Sequence, residues 1–376
     1  MPARRRARIV MLDLDSWDGL GEWGSSLRTA GLPVIRVVRS HRRRAYARRW
    51  LDRWQFGAFP VEVSGCPGDD PHVRAALAPP TVDVQGPEAE LRDLERHLPA
   101  QSRARDLLRR VPESVGQETL YDKWRMTRLA LATGLHVPDS WDRAREDALP
   151  VVVKGRISAG GQDVEIVRTG EELAASLRRM GGRDNGGVFF QEVMTGPVLN
   201  AGGVAKDGRL LVHAVYEATP EPHDPFGPPV LLRVLERPDV AAELAALIAA
   251  LGYTGVFCID YVQDEHGRFG MVDFNPRVFG GWLQLQVAGI DIIGAYLHAI
   301  GLRPAPAFRP LPAGTTLDVR LLAARTGTPR DAVRQARRSL GAIRTASPVT
   351  GWRFGALKAA RTVGRAALDA GRSLRS

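Results

Sequence analysis

Two acids and an amide stand out in the stretch GVFCIDYVQDEHGRFGMVDFNPR: Asp260, Asp273 and Asn275. His266-Gly267 lies between the acids and is a natural turn, because glycine takes positive φ freely. A hairpin centred there sets Asp260 directly opposite Asp273, and opposed residues share a face. Asn275, two positions on, shares that face too. Two facing carboxylates repel each other and resist desolvation. A hard divalent cation such as Mg²⁺ would account for them, since it takes carboxylate, amide and phosphate oxygens. An exposed polar face with no metal is the plain alternative, and a turn moved by one residue would break the pairing. Pro276 ends the strand and leaves Arg277 beside the patch, where it can meet an anion.

Of 52 basic residues only four are lysine: Lys123, Lys154, Lys206 and Lys358. In so arginine-biased a chain, a surviving lysine marks a place where a compact ammonium is needed, or chance. Lys154 ends the apolar run VVVK and precedes a loop with Ser158, Gly160 and Gly161. Small residues let backbone N–H groups approach phosphate oxygens, and a lysine at the base adds charge. The order, lysine first and glycines later, is not that of a P-loop. FFQEVMTGP turns polar at Gln191-Glu192, a plausible hinge for backbone bonds to a purine. Each signal alone is weak.

The elements that must position these residues follow from periodicity. RIVMLDLD, a helix ending near Gly31 and PVIRVVRS predict a βαβ unit and a parallel sheet. WDGLGEWG is not a dinucleotide fingerprint. Residues 60–87, rich in Pro and Gly, predict irregular chain, and 88–110 a charged amphipathic helix. TLYDKWRMTRLALATG predicts a helix stopping at Gly134. Strand, glycine loop and strand follow over PVVVKGRISAGGQDVEIV, then a helix in GEELAASLRRM and a strand in GGVFFQEV. NAGGVAKDGRLLVHAVYEA predicts a hairpin turning at Lys206-Asp207-Gly208. A helix over RPDVAAELAALIAALG, the acid-bearing hairpin and a helix over AGIDIIGAYLHAIG complete the pattern.

The chain has 376 residues, room for two or three domains. Its net charge of +10 belongs to its ends: residues 1–53 carry 13 arginines against 5 acids, and 330–376 carry 11 basic residues against 2. The remainder is acidic by difference, which does not describe a nucleic-acid-binding body, and no specific nucleic-acid role is expected. Asp13 and Asp15 interrupt the first apolar run and argue against a signal peptide, and no run is long enough to span a membrane. Cys66 and Cys258 stand in no metal or redox spacing, so a reducing cytoplasm is the expected location. The last segment, WRFGALKAARTVGRAALDAGRSLRS, has the spacing of a basic amphipathic helix that suits an acidic partner or anionic lipid; a solvated or self-packed helix is the alternative.

From Tyr121 to His298 these motifs, in this order, resemble the ATP-grasp superfamily in its carboxylate–amine ligase branch. The resemblance implies an α/β chain, α+β in its central part, with an N-terminal βαβ pre-ATP-grasp domain. The segments implied are 1–116, the N-terminal domain; 117–195, a subdomain with the glycine loop; 196–308, a subdomain with the metal site; and 309–376, the basic tail. DKWRMTRLALATGLHVP resembles the segment supplying a first nucleotide-contacting lysine, here Lys123, and PVVVKGRISAGG the second, Lys154, with Ser158, Gly160 and Gly161 over the phosphates. FFQEVMTGP resembles the adenine hinge, Gln191 to Val193. Asp260, Asp273 and Asn275 resemble the metal ligands, DFNPR standing where E-x-N-P-R is usual. The cofactors implied are ATP and Mg²⁺, with Mn²⁺ as a substitute. Members such as D-alanine–D-alanine ligase carry a ribose-binding carboxylate where this chain has Val198; Glu192 or Asn200 is the implied replacement, or the ribose is held loosely. Arg277 would hold the γ-phosphate or substrate carboxylate, and Arg233 would steady an acyl phosphate. The implied reaction joins a small carboxylate and an amine with release of ADP and phosphate. Other ATP-grasp chemistry, such as carboxylation, or a non-catalytic nucleotide-binding module are the alternatives. A homodimer is the implied assembly.

Overall fold

A continuous apolar run, buried on both faces, puts β1 (Arg8–Leu12) inside the first sheet, followed by α1 (Asp18–Thr29) and β2 (Val34–Arg39). Ile9 lies beside Val34 in a parallel ladder, as a βαβ unit requires. The computed structural model describes residues 7–14, 18–40, 45–158, 163–181, 186–219, 231–318, 344, 348–352 and 355–356. After α2 (Ala45–Phe56) the sheet gains β3 (Val61–Val63) and, past α3 (Pro71–Leu77), β4 (Thr81–Gln85), in the parallel order β3-β2-β1-β4. The expectation of irregular chain over 60–87 is therefore corrected. Its prolines mark the starts of short elements: Pro67 opens a 3-10 turn, Pro71 follows the Asp70 cap of α3, and Pro80 directly precedes β4.

The predicted helix over 88–110 is shorter than expected. It is α4 (Glu88–His97), stopped before Pro99, with a separate turn α5 (Arg103–Asp106). The helix expected up to Gly134 is likewise divided at Asp122 into α6 (Glu118–Tyr121) and α7 (Lys123–Ala132).

A four-stranded antiparallel sheet of order β5-β8-β6-β7 comes next, from β5 (Ser140–Trp141), β6 (Val151–Gly155), β7 (Val164–Val167) and, beyond α8 (Gly170–Gly181), β8 (Val188–Glu192). The larger sheet uses β9 (Val198–Lys206), β10 (Arg209–Thr219), β11 (Leu231–Leu235), then α9 (Pro238–Leu251), β12 (Gly255–Gln263), β13 (Phe269–Asn275), α10 (Trp282–Ala288), α11 (Ile292–Ala299) and β14 (Thr316–Asp318). Its antiparallel order is β13-β12-β9-β10-β11-β14, so it continues past residue 308. The β9–β10 turn falls where predicted, with Asp207 at φ 48° and Gly208 at φ 75°, the two positive values a tight hairpin turn needs. Helix α10, unmarked in the sequence reading, is buried at Trp282, Leu283 and Leu285.

Register decides what each face of the larger sheet meets. Leu199, Ala201, Phe257, Ile259 and Tyr261 join α9 and the Val10–Leu12–Val84 side of the parallel sheet in one core. Val204, Ala214, Tyr216 and Cys258 join α10, α11, Ile9, Met11 and Trp23 in another. Trp23 meets Trp282 and Tyr296 edge-on at 4.9 and 5.0 Å, contacts worth about 0.5–1.5 kcal/mol each beyond area burial. Val151, Val153 and Phe190 pack with α8 in a third, smaller core, leaving the other face of the four-stranded sheet free to meet the larger one. Among the described residues no helix is long and apolar enough to cross a membrane. Most of the basic tail, and with it most of the segment expected as an amphipathic helix, lies outside the described residues.

Candidate active site

Asp260 faces Asp273 across the β12–β13 ladder, and Ile259 faces Phe274. The route to that pairing differs from the expectation. The loop is three residues long, Glu265 to Gly267, closed by Asp264 N–H to the Arg268 carbonyl at 2.8 Å. That offsets the ladder by one, so Tyr261 lies opposite Met271. An irregularity between Asp260 and Tyr261 leaves Val272 unpaired and restores the register at the acids. Two local departures cancel.

The unpaired residue has a use. Its carbonyl is free of the ladder and accepts from Lys154 Nζ at 2.9 Å. Lys154 stands near the end of β6 in the smaller sheet, so this bond crosses between the two antiparallel sheets. Gln191 Oε1 takes a second proton of the ammonium at 2.5 Å, and Gln191 is held in turn by donating to Ser140 Oγ at 3.2 Å. Lys154 is 7% exposed. Burial pulls its pKa down to about 8, with Asp273 opposing that shift and Lys123 adding to it.

Lys123 arrives from another direction. It is the first residue of α7, whose cap Asp122 accepts from the N–H groups of Trp124 and Arg125 at 3.0 and 3.2 Å. Arg156, just past β6, pairs with Asp122 and accepts the Lys123 N–H at its carbonyl, 2.8 Å away. That bracket aims the Lys123 ammonium at Asp273, with which it forms an ion pair.

Asn200 on β9 is the cross-strand partner of Asp260 on the other side, and its amide donates to Asp260 Oδ1. Asn275 Nδ2 donates to Asp260 Oδ2 at 3.2 Å. Two neutral amides are weak compensation for a half-buried carboxylate facing another. Burial first, then Asp273, raises the Asp260 pKa to about 6.

Arg277 completes the cluster. Its Nη2 donates to Asn275 Oδ1 at 2.9 Å, and its Nε reaches both oxygens of Glu88 at 2.9 and 3.0 Å. Glu88 is the first residue of α4, so the N-terminal sheet region supplies a carboxylate to the site. Burial works against the guanidinium charge, but Glu88, Asp273 and Asp260 outweigh it and hold it charged. Glu88 escaped the sequence reading; the acidic first turn of a helix, PEAEL, was its only signal.

The other candidates are placed as follows. Ser158 is half-buried at the last described position before the glycine loop, and Gly160 and Gly161 lie outside the described residues. Glu192 is exposed; its N–H bonds the Asp139 carbonyl at 2.8 Å, and Val193 follows, partly exposed, in the exit from β8. Val198 is 44% exposed at the start of β9. Register excludes Arg233 from the cluster. It faces Glu217, which faces Leu199, which faces Tyr261, the side of the sheet opposite to Asp260, Asn200 and Tyr216. There it pairs with Glu217 in the open, its Nε at 3.0 Å.

The set therefore holds hard oxygen donors, two carboxylates and an amide, ringed by Lys123, Lys154 and Arg277. Such donors suit a divalent cation of the Mg²⁺ type.

No protein-family model matches the sequence, and no curated protein matches it. Solved structures do. L-amino acid ligase from Bacillus licheniformis superposes with a TM-score of 0.55 at 16% identity, over 79% of this chain and 75% of that one. Biotin carboxylase from Campylobacter jejuni, in a β-γ-ATP complex, gives 0.59 at 14% identity, over 80% and 72%. Carboxyaminoimidazole ribonucleotide synthase from Aspergillus clavatus, complexed with ATP, gives 0.65 at 14% identity, over 90% and 87%. On topology and on the extent of these superpositions, the chain has the ATP-grasp fold that these structures share.

Proposed function

We propose that this chain is an ATP-dependent ligase that activates a small carboxylate as an acyl phosphate for attack by an amine. The observation that carries the reading is the convergence of Asp260, Asp273, Asn275, Lys123, Lys154 and Arg277 where the two antiparallel sheets meet. Phosphoryl transfer is mostly positioning and charge stabilisation, which this set can supply. Asp260, Asp273 and Asn275 would hold Mg²⁺, which supplies charge neutralisation at the β- and γ-phosphates when bound. Lys154, bridging the sheets, and Lys123, released from Asp273, would meet the phosphate oxygens. Arg277, already oriented by Glu88, would grip the γ-phosphate or the substrate carboxylate in a bidentate way. The hinge region Gln191 to Val193 would line the base, although Gln191 spends its side chain on Lys154. Asn200 is engaged by Asp260, which leaves exposed Glu192 as the group for the ribose.

A second reading has its own support, because the synthase and biotin carboxylase superpose at least as well as the amino acid ligase. In it the same activation acts on bicarbonate. Hydroxylamine trapping separates the two. ADP release that needs an amino acid and yields its hydroxamate supports the ligase. ADP release with bicarbonate and no organic acid transfers the chain to the second reading. No Mg²⁺-dependent ATP binding by calorimetry would sink both.

A further inference from the structure

We propose that Cys66, Asp93 and His97 form a second metal site, apart from the nucleotide pocket, for a borderline-soft divalent cation of the Zn²⁺ type. One ligand atom from each lies within 4.8 Å of the others. Cys66 Sγ is 3.3 Å from Asp93 Oδ2, and His97 Nδ1 is 3.7 Å from Asp93 Oδ1. A tetrahedral Zn²⁺ about 2.0–2.3 Å from each donor sets donor–donor edges of roughly 3.3–3.8 Å. The two distances fall in that range but end on different oxygens of Asp93, and His97 Nδ1 now meets the Asp93 carbonyl at 2.8 Å, so a bound metal would gather one carboxylate oxygen and replace that backbone contact.

The scaffold holds the donors together. Asp93 and His97 are four apart on α4 and share a face. Cys66 precedes the Pro67–Asp69 turn, which lies hard against that helix: a Cβ on Gly68 would come within 2.5 Å of His97 Cβ. Glycine is what permits this approach. Arg74 Nε donates to the Gly68 carbonyl at 2.7 Å and steadies the turn from its far side. His97 is exposed and Cys66 half-buried, which leaves a side open for water or a fourth ligand.

The donor set differs in kind from that of the nucleotide pocket. Sulfur, imidazole and one carboxylate select Zn²⁺, whereas an all-oxygen set selects Mg²⁺. Binding would displace the thiol proton, now donated to Asp93, and release it to solvent. The place also has a consequence. Helix α4 begins at Glu88, which holds Arg277, and Asp93 lies five residues on, about 7.5 Å along the axis. A metal at this end would fasten the helix whose other end orients the arginine of the candidate active site.

The test is titration of metal-free full-length chain with Co²⁺ in saturating Mg²⁺, followed by displacement with Zn²⁺. One equivalent giving a thiolate-to-cobalt charge-transfer band, with release of a proton, is expected. The band should be lost, or its affinity weakened at least tenfold, in Cys66→Ser and His97→Ala, and kept in Asp273→Ala, which touches only the nucleotide pocket. Circular dichroism of the metal-free variants checks their folding. No band in the wild-type chain, or a band surviving Cys66→Ser, overturns the proposal, whatever the outcome for the ligase reading.

Discussion

Asp83 and Asp260 are both carboxylates taken out of bulk water, and they are treated in opposite ways. Asp83, 2% exposed at the seam between the parallel sheet and α11, meets Arg110 at 2.7 Å, Gln85 Nε2 at 2.5 Å and the Tyr296 hydroxyl. Its charge is matched by a cation where it stands. Among the described residues Asp260 accepts hydrogen bonds from the amides of Asn200 and Asn275 alone and looks onto Asp273, with Lys123 and Arg277 acting on it without contact. A buried acid that serves the fold is neutralised locally. In the proposed metal site the acid has no cation in direct contact, and burial with Asp273 outweighs the more distant Lys123 and Arg277.

The largest effect expected from this contrast is on stability. Arg110→Leu strands the Asp83 carboxylate without its cation and should cost about 3–5 kcal/mol in urea unfolding. A cost below about 1 kcal/mol would erase the distinction between the two acids. Next comes Asp273→Ala. It removes a proposed metal ligand and the repulsion on Asp260, so on the proposed function ATP turnover should fall roughly 10²–10³-fold while the unfolding midpoint holds. Equal turnover would place the metal elsewhere.

The third prediction concerns pH. The folded pKa of Asp260 is raised to about 6, above its ordinary 3.8. The folded state therefore binds more protons than the unfolded state between those values, and the stability of the nucleotide-free protein falls as pH rises through that window. The loss is on the order of 1–2 kcal/mol after allowing for partial exposure, and it should vanish in Asp260→Asn. The same titration should weaken Mg²⁺-dependent nucleotide binding below about pH 6. A pH-stability curve unchanged by the substitution would show that Asp260 is already compensated. The smallest effect is that of Arg233→Ala. An exposed pair with Glu217 on the wrong face should change stability by no more than about 0.5 kcal/mol and leave turnover alone.

Legibility in the sequence tracked the range of the interactions. The Asp260–Asp273 pairing rests on alternation and a turn within fifteen residues, and those are local. Even there the turn and the ladder each departed by one residue, and the agreement at the acids depended on both. Residues 60–87 mislead because proline and glycine there suggest irregular chain, whereas they bound brief elements. Arg233 misled because strand order was needed to know which face it takes.

By itself the sequence determined the donor chemistry: which residues are acids, amides, lysines and arginines, and which runs alternate so as to expose them on strands. That information is written in side-chain type and short spacing, where backbone geometry leaves few options. The tertiary structure alone decided which groups far apart in the chain meet. Glu88 reaches Arg277 across 189 positions, and Lys154 meets the Val272 carbonyl across 118. Loop closure over such distances carries no local signature; it is settled when sheets and helices bury their apolar faces together, and polar partners are then chosen by what that packing brings within reach.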